Sequence, residues 1–274
     1  MWALNGSIGV SLLVPVALAG CAPSVQQEVE MGNQYASELE RTLPMIRDAG
    51  AVASFRTSMA PLQRVAQRQD LTWNFSIVNS DQVNAFAVPG GHVYVFRGLI
   101  ERARHYDEFA GAMAHEIAHV DLRHSASQMG TASAANIGVS LAYLLLGRQP
   151  GQAEQAGIGL AGTAAFAKFS RDDEREADSV AVGMLTRANI DPGGMTRMFQ
   201  ILQSIGQRDP SKVELWFSSH PGAGERIENS QRIIASTPGA TAATRTGRSD
   251  LAAFQDLQRR LRAMPPAPKD VPAN

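Results

Sequence analysis

Across residues 109–125 the chain reads FAGAMAHEIAHVDLRHS, with apolar side chains at Phe109, Met113, Ile117 and Val120. That spacing predicts one buried stripe of an α-helix. His115 and His119, four residues apart, fall one turn from each other on the opposite side. Ala112, Ala118 and Leu122 share that side, so the helix is expected to be buried nearly all round, with Asp107 as its cap. Ahead of it the period becomes that of strands. Trp73, Phe75 and Ile77 alternate with Asn74, Ser76 and Val78, and residues 83–88 and 92–96 form two further strands. Pro89-Gly90-Gly91 joins these two as a tight turn. Helices are predicted at 25–43, closed by Pro44, and at 52–68, with Pro61 as a kink or break.

Downstream, residues 170–188 carry an apolar stripe of Ala177, Ala181, Met184, Leu185 and Ala188. Ser170 is the expected N-cap, and Asp172, Asp173 and Glu174 fill the first turn, where the helix dipole favours acids. Glu174 and Asp178 lie one turn apart on the margin of the stripe and face inward. Inward carboxylates are costly unless paired or bound to metal; Asp172 and Glu176 suit a solvated end. Asp191-Pro192 opens a helix to about residue 207, and 225–236 is a shorter one containing Arg226. Residues 130–167 hold only Arg148 and Glu154 as charges. They read as packed helices or a mobile flap, since polar residues interrupt any run long enough to span a bilayer. Contact of this segment with a membrane surface or an apolar substrate stays open. Beyond 237 the chain is Thr/Ala/Gly-rich, with one amphipathic piece at 251–264, and reads as a partly disordered appendage. The fold class expected is α+β, mainly helical, with a small sheet ahead of the central helix.

At 274 residues there is room for one sizeable domain and short appendages. Net charge is -1 and the basic residues are scattered, which argues against a nucleic-acid partner. The single cysteine, Cys21, follows an uncharged stretch whose apolar core, residues 8–19, has signal-peptide length and is too short to span a membrane. Leu18-Ala19-Gly20-Cys21 resembles the bacterial lipobox, although Lys and Arg are missing from the residues before the apolar core. The resemblance implies a signal peptide at 1–20, a lipidated Cys21 that anchors the protein to a membrane, and, with Ala22 next, the outer membrane. A mature chain with no other thiol fits the periplasm.

Two imidazoles on a buried helix need partners, either backbone carbonyls or a divalent metal. Zinc is the usual choice for nitrogen ligands. Glu116 is offset from both and can reach water at the metal, the H-E-x-x-H arrangement of a zinc hydrolase. Together with Glu174-x-x-x-Asp178 and a later His220-Pro221 with Arg226, this pattern resembles the gluzincin metallopeptidase family, which includes the CAAX prenyl protease and the heat-shock protease HtpX. Asn84-Ala85-Phe86-Ala87-Val88-Pro89-Gly90-Gly91 and Phe169-Ser170-Arg171 resemble its soluble periplasmic lipoprotein branch. The likeness covers about 25–236, so the layout expected is a metallopeptidase domain at 21–236 and a tail at 237–274, with no helical-repeat domain.

The resemblance implies a zincin-like fold with one zinc per chain, held by His115, His119 and Glu174 with a fourth position for water. Asp178 would accept a hydrogen bond from the outer nitrogen of His115, and Glu116 would be the general base. Arg226 or His220 would share the oxyanion charge, and Asn84, Ala85, Phe86 and Ala87 would form an edge that pairs with extended substrate. For His220 three roles stay open: fourth ligand of a latent enzyme, oxyanion donor, or loop histidine. His92, His105 and His124 read as surface or packing residues. The function expected is a lipid-anchored periplasmic endopeptidase for unfolded or misassembled envelope proteins. The alternatives are a chaperone-like assembly factor with a latent or structural zinc, and a hydrolase of cell-wall peptides.

Overall fold

The computed structural model describes residues 23–129 and 169–267. The expected signal peptide, the lipidated Cys21 and the apolar segment 130–167 lie outside them.

Helix α1 (Val25–Thr42) starts at Ser24, whose hydroxyl accepts from the Gln27 N–H at 3.2 Å while the Gln27 side chain accepts from the Ser24 N–H at 2.9 Å. Helix α2 (Ala49–Gln63) is capped by Asp48 and carries Pro61 two residues before its end. Strands β1 (Asn74–Val78), β2 (Ala85–Val88) and β3 (His92–Phe96) form one sheet in the order β1-β3-β2. β1 runs parallel to β3, with Phe75 opposite Val93, and β2 runs antiparallel to it, with Phe86 opposite Tyr94. The turn between β2 and β3 places Gly90 at φ 79° and Gly91 at φ 89°, a region that side chains rarely adopt.

Alternation along the strands sends residues to two apolar clusters. Phe75, Ile77, Ala85, Ala87, Val93 and Val95 join the main core, whereas Phe86, Val88, Tyr94 and Phe96 pack with Tyr35 and Leu39 of α1. Both faces of the sheet are therefore covered.

After α3 (Arg97–Arg102) comes α4 (Tyr106–Asp121), the 109–125 helix of the sequence, in which every residue is buried. Then follow α5 (His124–Met129), α6 (Arg171–Arg187), α7 (Gly193–Arg208), α8 (Glu214–Ser219), α9 (Ala223–Ser236), α10 (Ala240–Thr246) and α11 (Ala252–Ala263). Helix α4 lies between α6 and α7. It meets α7 backbone to backbone: a Cβ at Gly111 would stand 2.5 Å from Met195 Cα, and one at Gly194 would stand 2.4 Å from the Asp107 carbonyl. Among the described residues no helix is long and apolar enough to cross a membrane.

Two expectations are corrected here. Asp107 does not cap α4. Glu108 does so from the third position, its carboxylate accepting from the Arg104 and His105 N–H groups at 2.7 and 3.3 Å. Asp107 is instead buried against Arg197 of α7. The tail beyond 237 is not an appendage over the residues described. Phe254, Leu257 and Leu261 of α11 join the main core, and the Gln258 amide donates to the Ile100 and Ala103 carbonyls at 2.8 and 2.7 Å. Their i, i+3, i+7 spacing is an apolar stripe, and α2 supplies the face that covers it.

Candidate metal centre

Three elements converge beside α4. His115, Glu116 and His119 project from α4, Glu174 and Asp178 from α6, His220 from the end of α8, and Arg226 from α9. His115 Nε2 lies 3.0 Å from His119 Nε2 and 3.3 Å from His220 Nδ1. Glu174 Oε1 lies 2.9 Å from His220 Nδ1 and 3.5 Å from His119 Nε2. One ligand atom from each of His115, His119, Glu174 and His220 falls within 4.8 Å of all the others. None of the four residues is more than 2% exposed.

This donor set fits a cation. Asp178 Oδ1 stands 3.0 Å from His115 Nδ1, so the imidazole proton belongs there and Nε2 turns a lone pair to the centre. Ring nitrogens facing one another at 3.0–3.3 Å need a shared proton or a cation between them, and one cation would satisfy all of them together. A tetrahedron with bonds of about 2.1 Å has edges of about 3.4 Å, and the separations above bracket that length.

The charges behind the cluster are balanced. Arg226 reaches Asp178 through Nη2 at 2.6 Å and Nε at 3.1 Å, reaches Glu174 Oε2 through Nη1 at 2.7 Å, and lies 4.2 Å over the Phe199 ring. Burial raises the Glu174 pKa, but His220, Arg226 and His115 outweigh it and hold the carboxyl well below its usual range. Asp178 is likewise held low, since Arg226 and His115 overcome the cost of burial. Burial and Arg226 disfavour a charge on His115, yet the Glu174 and Asp178 carboxylates prevail and raise it to about 9, so Nε2 gives up a proton when a metal takes its lone pair. Burial, reinforced by His115, holds His119 well below the ordinary histidine value. Glu116 moves the other way. Burial lifts its pKa, only partly offset by His220 and His115, and its Oε1 is buried without a hydrogen-bond partner among the described residues. Aromatic rings wall the cluster: Phe169 stacks on His119 at 3.9 Å between centroids, and Trp216 lies 4.9 Å from His220.

Comparison with known proteins decides the family, because the model for peptidase family M48 matches residues 49–234. The chain belongs to peptidase family M48. It is 32% identical over 223 residues to the beta-barrel assembly-enhancing protease of Yersinia pestis, covering 78% of this chain and 45% of that protein. It is 29% identical over 222 residues to the metalloprotease YcaL of Escherichia coli K12, covering 81% of this chain and 79% of that one. To the mitochondrial metalloendopeptidase OMA1 of Schizosaccharomyces pombe it is 30% identical over 163 residues, 60% of this chain and 47% of the relative. The chain thus spans about half the length of the beta-barrel assembly-enhancing proteases it matches. The gluzincin resemblance read from the H-E-x-x-H, Glu174 and His220 motifs is borne out, as is the mainly helical fold with a small sheet.

Within this M48 chain the remaining expectations fare unevenly. His220 stands inside the ligand cluster, so it is no ordinary loop histidine. Arg226 is 3% exposed, donates to Asp178, pairs in charge with Glu174 and lies against the His115 ring at 3.0 and 3.1 Å, so it is engaged with the cluster itself and not open to an oxyanion. Strand β2, which holds Ala85, Phe86 and Ala87 with Asn84 just before it, is at an edge of the sheet, and all four residues are buried. The Phe96 N–H donates to the Asn84 carbonyl at 2.9 Å, and alternation from there turns the backbone groups of Ala85 and Ala87 outward. The outer Ala87 carbonyl accepts from the Ser125 hydroxyl at 3.4 Å. His92 is a packing residue bonded to Asn33 at 2.9 Å, and His105 is exposed beside Asp250.

His124 is not the ordinary surface or packing residue expected. It is buried with its Nδ1 3.0 Å from His119 Nδ1. No periodicity signals it: five residues after His119 it would point away on a continuous helix. It reaches His119 only because α4 stops at Asp121 and Arg123 turns the chain through φ 61°.

Proposed function

We propose that this protein is a zinc-dependent endopeptidase that cleaves unfolded or misassembled cell-envelope proteins and rests in a latent state closed by His220. The observation that carries this reading is the convergence of His115, His119, Glu174 and His220 beside a Glu116 carboxylate oxygen with no hydrogen bond of its own.

His115, His119 and Glu174 would hold the metal, and His220 would occupy the corner that water and substrate need. When bound, zinc supplies Lewis-acid polarisation of the scissile carbonyl and lowers the pKa of water toward about 7. Glu116 takes a proton from the attacking water and returns it to the leaving amine, work suited to a carboxylate whose pKa is raised by burial. Asp178 orients His115 through its Nδ1–H, and Arg226 fixes both Asp178 and Glu174. His220 withdraws when the enzyme works. It is tied by Glu174 at 2.9 Å and by Trp216, and Gly222 at φ 86° follows it as a pivot. The backbone groups of Ala85 and Ala87 are the edge that an extended substrate would join, with Ser125 giving way.

The envelope setting rests on the expected lipid anchor at Cys21, on the periplasmic and outer-membrane placement it implies, and on similarity to beta-barrel assembly-enhancing proteases. The closed cluster also favours a second reading, a chaperone-like assembly factor whose site stays shut. In that case a Glu116→Gln protein still rescues the envelope defect of a deletion strain.

The test is caseinolysis by the purified chain from Cys21 onward, with zinc content measured on the same samples. Glu116→Gln keeps its zinc and loses two or more orders of magnitude in turnover. His220→Ala raises turnover if the residue is a latch; a fall would make it an oxyanion donor. Equal rates for wild type and Glu116→Gln would refute the assigned base.

A further inference from the structure

We propose that His124 is a positioning residue for the metal site: it accepts the Nδ1 proton of His119 and thereby aims Nε2 of His119 at the ligand cluster. The inference rests on the reading that His119 is a metal ligand.

The ligand role of His119 sets the direction of the bond. His119 Nδ1 and His124 Nδ1 are 3.0 Å apart, so one proton lies between them. On its far side, His124 Nε2 faces only acceptors, Asp173 Oδ1 at 3.7 Å and Glu176 Oε2 at 3.6 Å. A neutral imidazole has one N–H and one lone pair. As a ligand through Nε2, His119 carries its proton on Nδ1, and the acidic side of His124 favours an N–H at Nε2, leaving His124 Nδ1 as the acceptor. His119 must then donate from Nδ1, and its Nε2, 3.0 Å from His115 Nε2, is left with a lone pair for the cluster. A histidine ligand whose outer nitrogen has a fixed partner is held in one tautomer and one ring orientation.

Each of the two ligands on α4 thus has its own brace. His115 leans on Asp178 and Arg226, His119 on His124 and the acidic first turn of α6. The second brace has a mechanical origin in the chain. Arg123, at φ 61°, folds His124 back under α4, and its guanidinium is tied down by the buried Glu28 at 3.0 Å and by the Pro23 carbonyl. Helix α1 therefore holds in place the turn that delivers the acceptor.

The experiment measures Zn2+ affinity by chelator competition on wild type, His124→Leu and His124→Asn, with folding checked by circular dichroism. Leucine fills the space without an acceptor, whereas the asparagine Oδ1 sits close to the position of Nδ1. His124→Leu is expected to bind Zn2+ 10–100-fold more weakly, and His124→Asn to stay within about threefold of wild type. Unchanged affinity in His124→Leu overturns the inference, as does equal loss in both variants. If His124→Leu does not fold, long-range 1H–15N correlation of the imidazoles in zinc-loaded wild type decides. The expected protons are at Nδ1 of His119 and Nε2 of His124, and a proton at His124 Nδ1 overturns the assignment. Wild type that takes up no Zn2+ would sink the proposed function and this inference together, whereas wild type that binds it tightly confines any failure to His124.

Discussion

Replacing Phe254 by alanine tests whether α11 is part of the catalytic fold or a passenger on it. Phe254 is 1% exposed, stacks on Phe109 with centroids 4.8 Å apart, and tilts against Tyr106 at 5.9 Å. Phe109 is the first apolar residue of the stripe that backs His115 and His119, so the contact braces the metal-bearing helix from behind. Truncating a buried phenylalanine costs about 3–5 kcal/mol, the larger end where the neighbours cannot collapse into the void. Two ring partners and a surrounding core argue for the larger end. For a domain whose total stability is about 5–15 kcal/mol that is a third or more. At roughly 2–4 °C per kcal/mol it lowers Tm by about 6–20 °C. The assay is urea unfolding followed by tryptophan fluorescence in chelator, so that metal binding does not mask the loss. Arg259→Ala on the exposed face of the same helix serves as the control and stays within about 0.5 kcal/mol. A loss below about 1 kcal/mol for Phe254→Ala would refute the reasoning and return α11 to the status of an appendage.

Asp178→Asn removes the charge that orients His115 and lowers Zn2+ affinity about 10–100-fold; chelator competition that finds no change would clear Asp178 of this part. Chelating the metal lowers Tm of the wild type by about 5–10 °C when zinc had been present at some hundred times its Kd, and Glu116→Gln keeps this shift whereas His115→Ala loses it. Burial lifts the Asp107 pKa to about 6 against the pull of Arg197. The folded state therefore holds this proton more tightly, and the stability it lends is complete below about pH 4 and lost as pH rises through 6. That loss is at most about 3 kcal/mol and smaller where solvent screens Arg197. Urea midpoints in chelator from pH 4 to 7.5 should fall more steeply with pH for wild type than for Asp107→Asn; parallel profiles would count against the buried carboxyl.

The sequence showed most clearly those residues whose roles follow from spacing on one element. His115 and His119 announced themselves by i, i+4, and Glu174 and Asp178 did so because acids on the margin of an apolar stripe have no cheap place to go. The two sides of the sheet followed from alternation. What escaped depends on where one element meets another. Asp107 looked like a cap by position alone, yet the approach of α7 at Gly194 turns it into a buried partner of Arg197. The stripe of α11 was visible, but nothing in its own residues named α2 as its cover. The Arg226 guanidinium was expected at the reaction and is engaged by Asp178, Glu174 and the His115 ring, a matter of geometry that residue type does not encode. His124 needed a left-handed residue to bring it home, and Arg123 gives no hint of one.

Contact between α4 and α7 without intervening side chains has a further meaning for how such an enzyme wakes. Two main chains wedged together at glycine cannot slide past one another by rotamer changes, so this pair acts as a chassis. For the latent state proposed above, the part left to move is the short arm of α8 and its terminal imidazole, which meets Glu174 at 2.9 Å and His115 at 3.3 Å through side chains. On that proposal, activation is a matter of lifting one finger, and the frame on which the metal would sit is the same before and after.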